Sequence, residues 1–306
     1  MMENQRLLLA AALMFVVFLL WQNWLEFQAK KYPPLAPPVA TAPGNASNPA
    51  MPAALPGQDV PTAAPTVGAG PQALGSGQRV RVTTDLFDAE IDTIGGDLRR
   101  VGLRTYPDSV QQPDQPFQLL RDSGAEIFIA QSGLVALNNA PAPNHYALFI
   151  PEHSEYRLAE GQDTLEVRLN WVDPTGLKVV KTYTFKRGSF LVELNQRVEN
   201  GSASDWQGSQ YRQFQRTPPK TSNSFFGGGV ITYTGAVIST PEQRYEKISF
   251  DDIAKKELSQ SVKDGWIAMI QHYFLGAWIP NAGETDDFYT KVVGGSRCLL
   301  YTSRCV

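Results

Sequence analysis

Three consecutive runs in the middle of the chain alternate apolar and polar residues with period two. They are Leu165-Glu166-Val167-Arg168-Leu169-Asn170-Trp171, Val179-Val180-Lys181-Thr182-Tyr183-Thr184-Phe185, and the stretch through Phe190-Leu191-Val192 to Asn200. Period two sends alternate side chains to opposite faces of a strand, so each run offers one face to a core and one to solvent. Asp173-Pro174-Thr175-Gly176 and Lys186-Arg187-Gly188-Ser189 supply the turns between them, with Gly providing positive φ. An antiparallel meander is expected here. The same pattern, with Val80-Arg81-Val82 and the turn pairs Gly95-Gly96 and Asn200-Gly201, recurs over about 220 residues from Arg79 onward. So many antiparallel strands in one domain imply a mostly β fold, a large antiparallel two-sheet sandwich.

Two segments do not fit the alternation. Asp251 and Asp252 read as caps of a helix from Ile253 to Val262, although the apolar stripe is loose. The run Gly265 to Pro280, GWIAMIQHYFLGAWIP, is apolar almost throughout, and periodicity alone does not assign it. Its aromatic and branched residues favour a bent strand buried on both faces, with Gly276 at the bend. Trp266, Tyr273, Phe274 and Trp278 make this run the first candidate for a surface meeting a membrane core or a partner. Ordinary sandwich core is the competing reading for each of them.

Residues 1–32 have another character. An uncharged apolar run from Leu7 to Trp21 follows Arg6 and ends at Gln22-Asn23-Trp24. About 20 apolar residues cross a bilayer core, and this run reaches that length when Trp21 and Trp24 sit at the interface. Leu7, Leu13, Phe15, Phe18, Trp21 and Trp24 are the expected contacts with the lipid bilayer. A cleaved signal peptide would need small residues just after the apolar core, where this chain has Trp21, Asn23, Trp24 and Phe27. A retained transmembrane helix is therefore expected. Arg6 faces Lys30 and Lys31 across it, so charge does not fix its orientation. Residues 33–78 are rich in Pro, Ala, Gly and Thr with Asp59 the only charge, a composition expected to remain a disordered linker.

A net charge of −3 and the absence of a basic run argue against a nucleic-acid partner. Cys298 and Cys305 lie in the last nine residues, leaving the body of the domain without a thiol, which suits an oxidising compartment. The β pattern stops after Gly294-Gly295. Cys298-Leu299-Leu300-Tyr301-Thr302-Ser303 is the in-frame translation of a transposon end used in preparing sequencing libraries. Residues 298–306 are thus expected to be a non-native tail, and the domain to occupy 79–297.

No cofactor is expected. His145, His153 and His272 lack metal-ligand spacing, and no nucleophile elbow, Walker loop or H-E-x-x-H occurs. His272, amid Ile270, Tyr273 and Phe274, reads as a core or interface residue, and Phe225-Phe226-Gly227-Gly228-Gly229 as a loop. Asp85, Asp88, Glu90, Asp92, Asp251 and Asp252 read as solvated strand faces or turns rather than a paired-carboxylate site.

Several blocks together resemble one family, the Gram-negative form of the bacterial membrane protein insertase YidC. ENQRLLLAAALMFVVFLLWQNW is similar to its first transmembrane segment, and VTTDLFDAEIDTIGGDLRRVGLRTY to the start of its periplasmic domain. YTFKRGSFLVELNQRVEN resembles its central hairpin; YTGAVISTPEQRYEKISFDDI and GWIAMIQHYFLGAWIP resemble its later strands. The resemblance implies a β-supersandwich related to mutarotase and sugar-binding domains, held in the periplasm by a single inner-membrane span. It implies no enzyme activity. The implied partners are the Sec translocon, including SecD/SecF, and nascent inner-membrane proteins. Insertion in that family belongs to a five-helix membrane core, which has no counterpart here, so no insertion residue is carried over. The alternative is a membrane-tethered carbohydrate-binding or mutarotase-like protein, which needs His145 or His153 to meet a carboxylate in a cleft. Their Pro-rich surroundings read as an irregular exposed segment.

Overall fold

The computed structural model describes residues 74–124, 126–137, 140–219, 233–293 and 297–305, with Met14, Phe18, Trp21 and Gln22. The chain divides into two compact units, residues 1–56 and 57–306. In the first, Met14, Phe18 and Trp21 are helical, four and three positions apart, and so lie on one exposed stripe. Leu7, Leu13, Phe15, Trp24, most of the linker and Phe225–Gly229 lie outside the described residues. Among the described residues no helix is long and apolar enough to cross a membrane.

The second unit opens with β1 (Arg79–Thr83), β2 (Phe87–Asp92), β3 (Asp97–Ser109), β4 (Gln112–Leu120) and β5 (Phe128–Ala136). Short β6 (Ile150–Pro151) and β7 (Glu155–Arg157) precede β8 (Thr164–Val172), β9 (Leu177–Lys186) and β10 (Val192–Asn200). Then come β11 (Gly208–Arg216), β12 (Thr234–Ser239), β13 (Glu246–Ile248) and a short helix, Phe250–Lys255. The last strands are β14 (Ser259–Lys263), β15 (Trp266–Gln271), β16 (Phe274–Trp278), β17 (Thr285–Val293) and β18 (Arg297–Cys305).

These form a ten-stranded sheet, ordered β14-β17-β18-β11-β5-β3-β2-β1-β7 with β4 beside β3, and two four-stranded sheets, β10-β9-β8-β6 and β13-β12-β15-β16. The meander β8-β9-β10 is antiparallel in the order expected. Its alternation becomes burial: Leu165, Val167 and Leu169 of β8 and Tyr183 and Phe185 of β9 join Val80, Val82 and Ile91 of the large sheet in one core. Full burial of such side chains stabilises by about 1.5–3 kcal/mol each. The turn glycines Gly95, Gly96, Gly176 and Gly188 all have positive φ. The domain is therefore the expected β-sandwich, with a third sheet added beside β5 and β11.

The helix differs from expectation. Its N-cap is Ser249, whose hydroxyl accepts from the Asp252 N–H at 3.1 Å while the Asp252 carboxylate accepts from the Ser249 N–H at 3.3 Å, a reciprocal capping box. It ends at Lys255, and Ser259–Lys263 pairs with β17 instead, because only Val262 of that strand needs a core position. The residues after Gly294-Gly295 also differ, since Arg297–Cys305 fills the slot between β11 and β17.

Candidate functional site: an apolar hairpin and a buried ionic cluster

The run Gly265 to Pro280 is a β-hairpin, not one strand bent at Gly276. β15 and β16 pair from Ile267↔Trp278 to Gln271↔Phe274, joined by His272 and Tyr273. His272 has φ 52°, the conformation that the first central residue of a two-residue hairpin turn requires. His272 is thus exposed at the turn rather than in a core. Gly276 serves close packing, because a Cβ there would lie 3.3 Å from the rings of Phe128 and Phe214.

The hairpin's two faces divide the four candidate aromatics. Phe274 and Trp278 turn inward. Phe274 stacks on Phe117 of β4 at 4.3 Å between centroids, and Trp278 on Phe214 of β11 at 5.4 Å. Trp266 is half-buried on the opposite face, and Tyr273 is 79% exposed at the tip. Leu275 and Ile279, missed at the sequence level, project outward at 51% and 59% exposure. A chain of ring contacts runs from Phe274 through Tyr106 (5.2 Å) and Phe190 (6.1 Å) to Phe87 (5.6 Å). It links the third sheet to the β9–β10 turn.

A second constellation lies between the sheets and contains residues that sequence patterning left as strand or loop. Lys181 is fully buried and donates to the carbonyls of Gly95 (2.6 Å) and Ser132 (2.9 Å), its ammonium 4.8 Å from the Phe149 ring centroid. Asp97, also fully buried, accepts from Gln131 Nε2 (2.9 Å) and the Ser132 N–H (3.2 Å) and faces Arg99 at 3.6 Å. Burial pushes Asp97 up to about 6 against the opposing pull of Lys181 and Arg99. The same burial draws Lys181 down to about 8, with Asp97 pulling the other way.

His145 is buried here, which corrects the expectation of an exposed loop. Desolvation, with Arg99 and Lys181 nearby, lowers its pKa to about 3, so the ring is neutral. The Tyr211 hydroxyl accepts from the His145 N–H at 2.9 Å and lies 2.6 Å from Nδ1, where a neutral ring accepts its proton. The Tyr211 hydroxyl thus engages both the backbone N–H and Nδ1 of His145. His153 is exposed on the opposite side of β6 in sequence and donates its backbone N–H to the Tyr156 hydroxyl. Neither histidine has the open acid–base geometry that a mutarotase-like site requires.

Asp92, expected on a solvated face, is also buried. Its carboxylate accepts from Ser76 Oγ (2.9 Å), the Gly77 N–H (2.8 Å) and the Ile94 N–H (2.8 Å), and pairs with Arg79 at 3.2 Å. It clasps the segment just before β1 to the β2–β3 turn. Asp88 and Glu90 are less enclosed and border a shallow cavity of about 230 Å³ on β1–β3 with Arg81, Arg100 and Gln118. Its charges are already matched: Arg81 with Glu155, Arg100 with Glu90, and Asp88 with Arg104. Among the described residues no group of three or more His, Cys, Asp or Glu could hold a metal ion.

The fold and its surfaces define a β-sandwich domain whose distinctive exposed feature is an apolar hairpin. Residues 79–306 match the family model of the YidC periplasmic domain, and the chain belongs to that family. It is 43% identical over 310 residues to a protein of Thioalkalivibrio sulfidiphilus named membrane protein insertase YidC, covering 96% of this chain and 53% of that one. A protein of the same name from Methylococcus capsulatus is 48% identical over 216 residues, covering 71% of this chain and 39% of the relative. The chain spans about half the length of the first of these relatives. A solved structure, the Slr1438 protein from Synechocystis, aligns with a TM-score of 0.38 at 11% identity over 76% of this chain and 87% of that one.

Proposed function

We propose that this chain is the membrane-anchored periplasmic part of a membrane protein insertase. Its amino-terminal run holds it to the inner membrane by a single span, the linker spaces it, and the sandwich works beside the Sec translocon, including SecD/SecF, and nascent inner-membrane proteins. The observation that carries the reading is the family match along residues 79–306, together with relatives named for insertion. The role is binding and positioning, not bond-making chemistry. Trp266, Tyr273, Phe274 and Trp278 build the contact element, Phe274 and Trp278 holding it in place and Tyr273 reaching outward. Residues 298–306 are read as a non-native tail, against the extent of the family match, which runs to 306; an independent long-read sequence with the same codons at that locus would refute this.

The test is a chimera in which residues 1–293 replace the equivalent part of the Thioalkalivibrio sulfidiphilus relative, expressed in cells depleted of their own insertase. Growth and protease-protected insertion of an inner-membrane client are expected. A chimera that accumulates in the membrane yet inserts nothing would overturn the proposal.

A further inference from the structure

Outward positions of an antiparallel sheet with one wet face are ordinarily polar. On β15 and β16 the outward residues are Trp266, Ala268, Ile270, Leu275, Ala277 and Ile279, without one polar side chain among them. The inward set is Ile267, Met269, Gln271, Phe274, Gly276 and Trp278, apolar but for Gln271, whose side-chain oxygen accepts from Arg216. Ala268 is covered, so exposure concentrates at the outer edge and tip, where Tyr273, Leu275 and Ile279 are 79%, 51% and 59% exposed. β16 is moreover an edge strand. It carries no Lys, Glu or Pro, the residues that usually guard an edge.

We infer that the β15–β16 hairpin docks onto the surface of the lipid bilayer, Tyr273 leading and Leu275 and Ile279 entering beside it. This rests on the anchored reading given above. The chain preceding the domain decides the occupant: an apolar run ends at Trp21, and about 50 linker residues separate it from the fold. A coil of that length has a root-mean-square span of roughly 40 Å, so the anchor keeps the hairpin within reach of the membrane and a weak contact suffices. From Gly265 to Pro280 there is no Asp, Glu, Lys or Arg. The contact is therefore apolar and interfacial, an aromatic ring at headgroup depth with aliphatic side chains below it, and is insensitive to salt.

The experiment uses the full chain, with Cys298 and Cys305 replaced by Ser, in vesicles of phosphatidylethanolamine and phosphatidylglycerol. Spin labels are placed singly through Tyr273→Cys, Leu275→Cys, Thr175→Cys in the distant β8–β9 turn, and Met14→Cys in the apolar run. Collision with oxygen, which enters the bilayer, is compared with collision with a water-soluble nickel chelate. Labels at 273 and 275 are expected to shift toward oxygen relative to Thr175→Cys, and Leu275→Asp with Ile279→Asp is expected to abolish the shift at 273. Nickel access equal to that of Thr175→Cys overturns the docking. Protection from both agents also overturns it, because protein and not lipid then covers the hairpin. A Met14 label in lipid with a wet Tyr273 refutes the docking alone; a wet Met14 refutes the anchor as well.

Discussion

Phe274 lies on Phe117 with ring centroids 4.3 Å apart and planes 24° from parallel, joining the tip of the β15–β16 hairpin to β4 of the large sheet. The hairpin is thus braced on one face while Tyr273, its sequence neighbour, is 79% exposed. One side chain positions and the next presents. Phe274→Ala is expected to destabilise the domain by about 2 kcal/mol, below the cost of a fully buried ring, whereas Tyr273→Ala changes stability by less than about 0.5 kcal/mol. Equilibrium urea unfolding of the two variants checks the contrast.

The turn offers a substitution of opposite sign. His272 adopts φ 52°, which costs a non-glycine residue roughly 1 kcal/mol. His272→Gly is expected to raise the unfolding free energy by a few tenths to about 1 kcal/mol, the gain being offset by greater freedom of the unfolded chain. A lower urea midpoint would contradict this turn geometry.

The buried pair of Asp97 and Lys181 makes stability depend on pH in a particular way. Asp97 has its folded pKa raised from 3.8 to about 6, so its contribution is full below 3.8 and is lost as pH rises through 6. Lys181 has its folded pKa lowered from 10.5 to about 8, so its contribution is full above 10.5 and is lost as pH falls through 8. Between about 6 and 8 both are charged and stability from this pair is least. Asp97→Asn is expected to flatten the decline between pH 4 and 6, read from thermal unfolding across that range. A decline of unchanged slope would show that another group titrates there.

Removing one member of this cluster is costlier than titrating it. Lys181→Met strips two carbonyls, of Gly95 and Ser132, of a donor and leaves Asp97 with Arg99 as its nearest charge. A loss of about 3 kcal/mol is expected. The double variant with Asp97→Asn is expected to recover part of it, and a double-mutant cycle measures the coupling.

Ser249→Ala removes the hydroxyl that accepts from the Asp252 N–H, leaving only the backbone half of the capping box, and is expected to cost about 1 kcal/mol, also read from urea unfolding.

These positions show what the sequence alone could convey. The meander β8-β9-β10 was legible because each strand keeps one wet face, so burial appears as alternation, and because Gly176 and Gly188 mark the turns. The β15–β16 hairpin was legible as a surface but not as a hairpin. Apart from Gln271 both of its faces are apolar, which erases the period, and its turn uses His272 and Tyr273 instead of glycine or asparagine. His145, Asp92 and Asp97 were hidden for another reason. Their burial depends on partners 66, 16 and 34 residues away, Tyr211, Ser76 and Gln131, and no local pattern records a long-range hydrogen bond.

The most direct test of the account uses the same chimera, with a photoactivatable amino acid placed at Tyr273 in one strain and at Thr175 in another. Crosslinking is expected to give phospholipid adducts from Tyr273 at rest and, during synthesis of an inner-membrane client, adducts with SecD, SecF or the client at the membrane surface, and none of these from Thr175. Adducts from both positions alike, or from neither while the chimera sustains growth, would contradict a role for this hairpin in insertion.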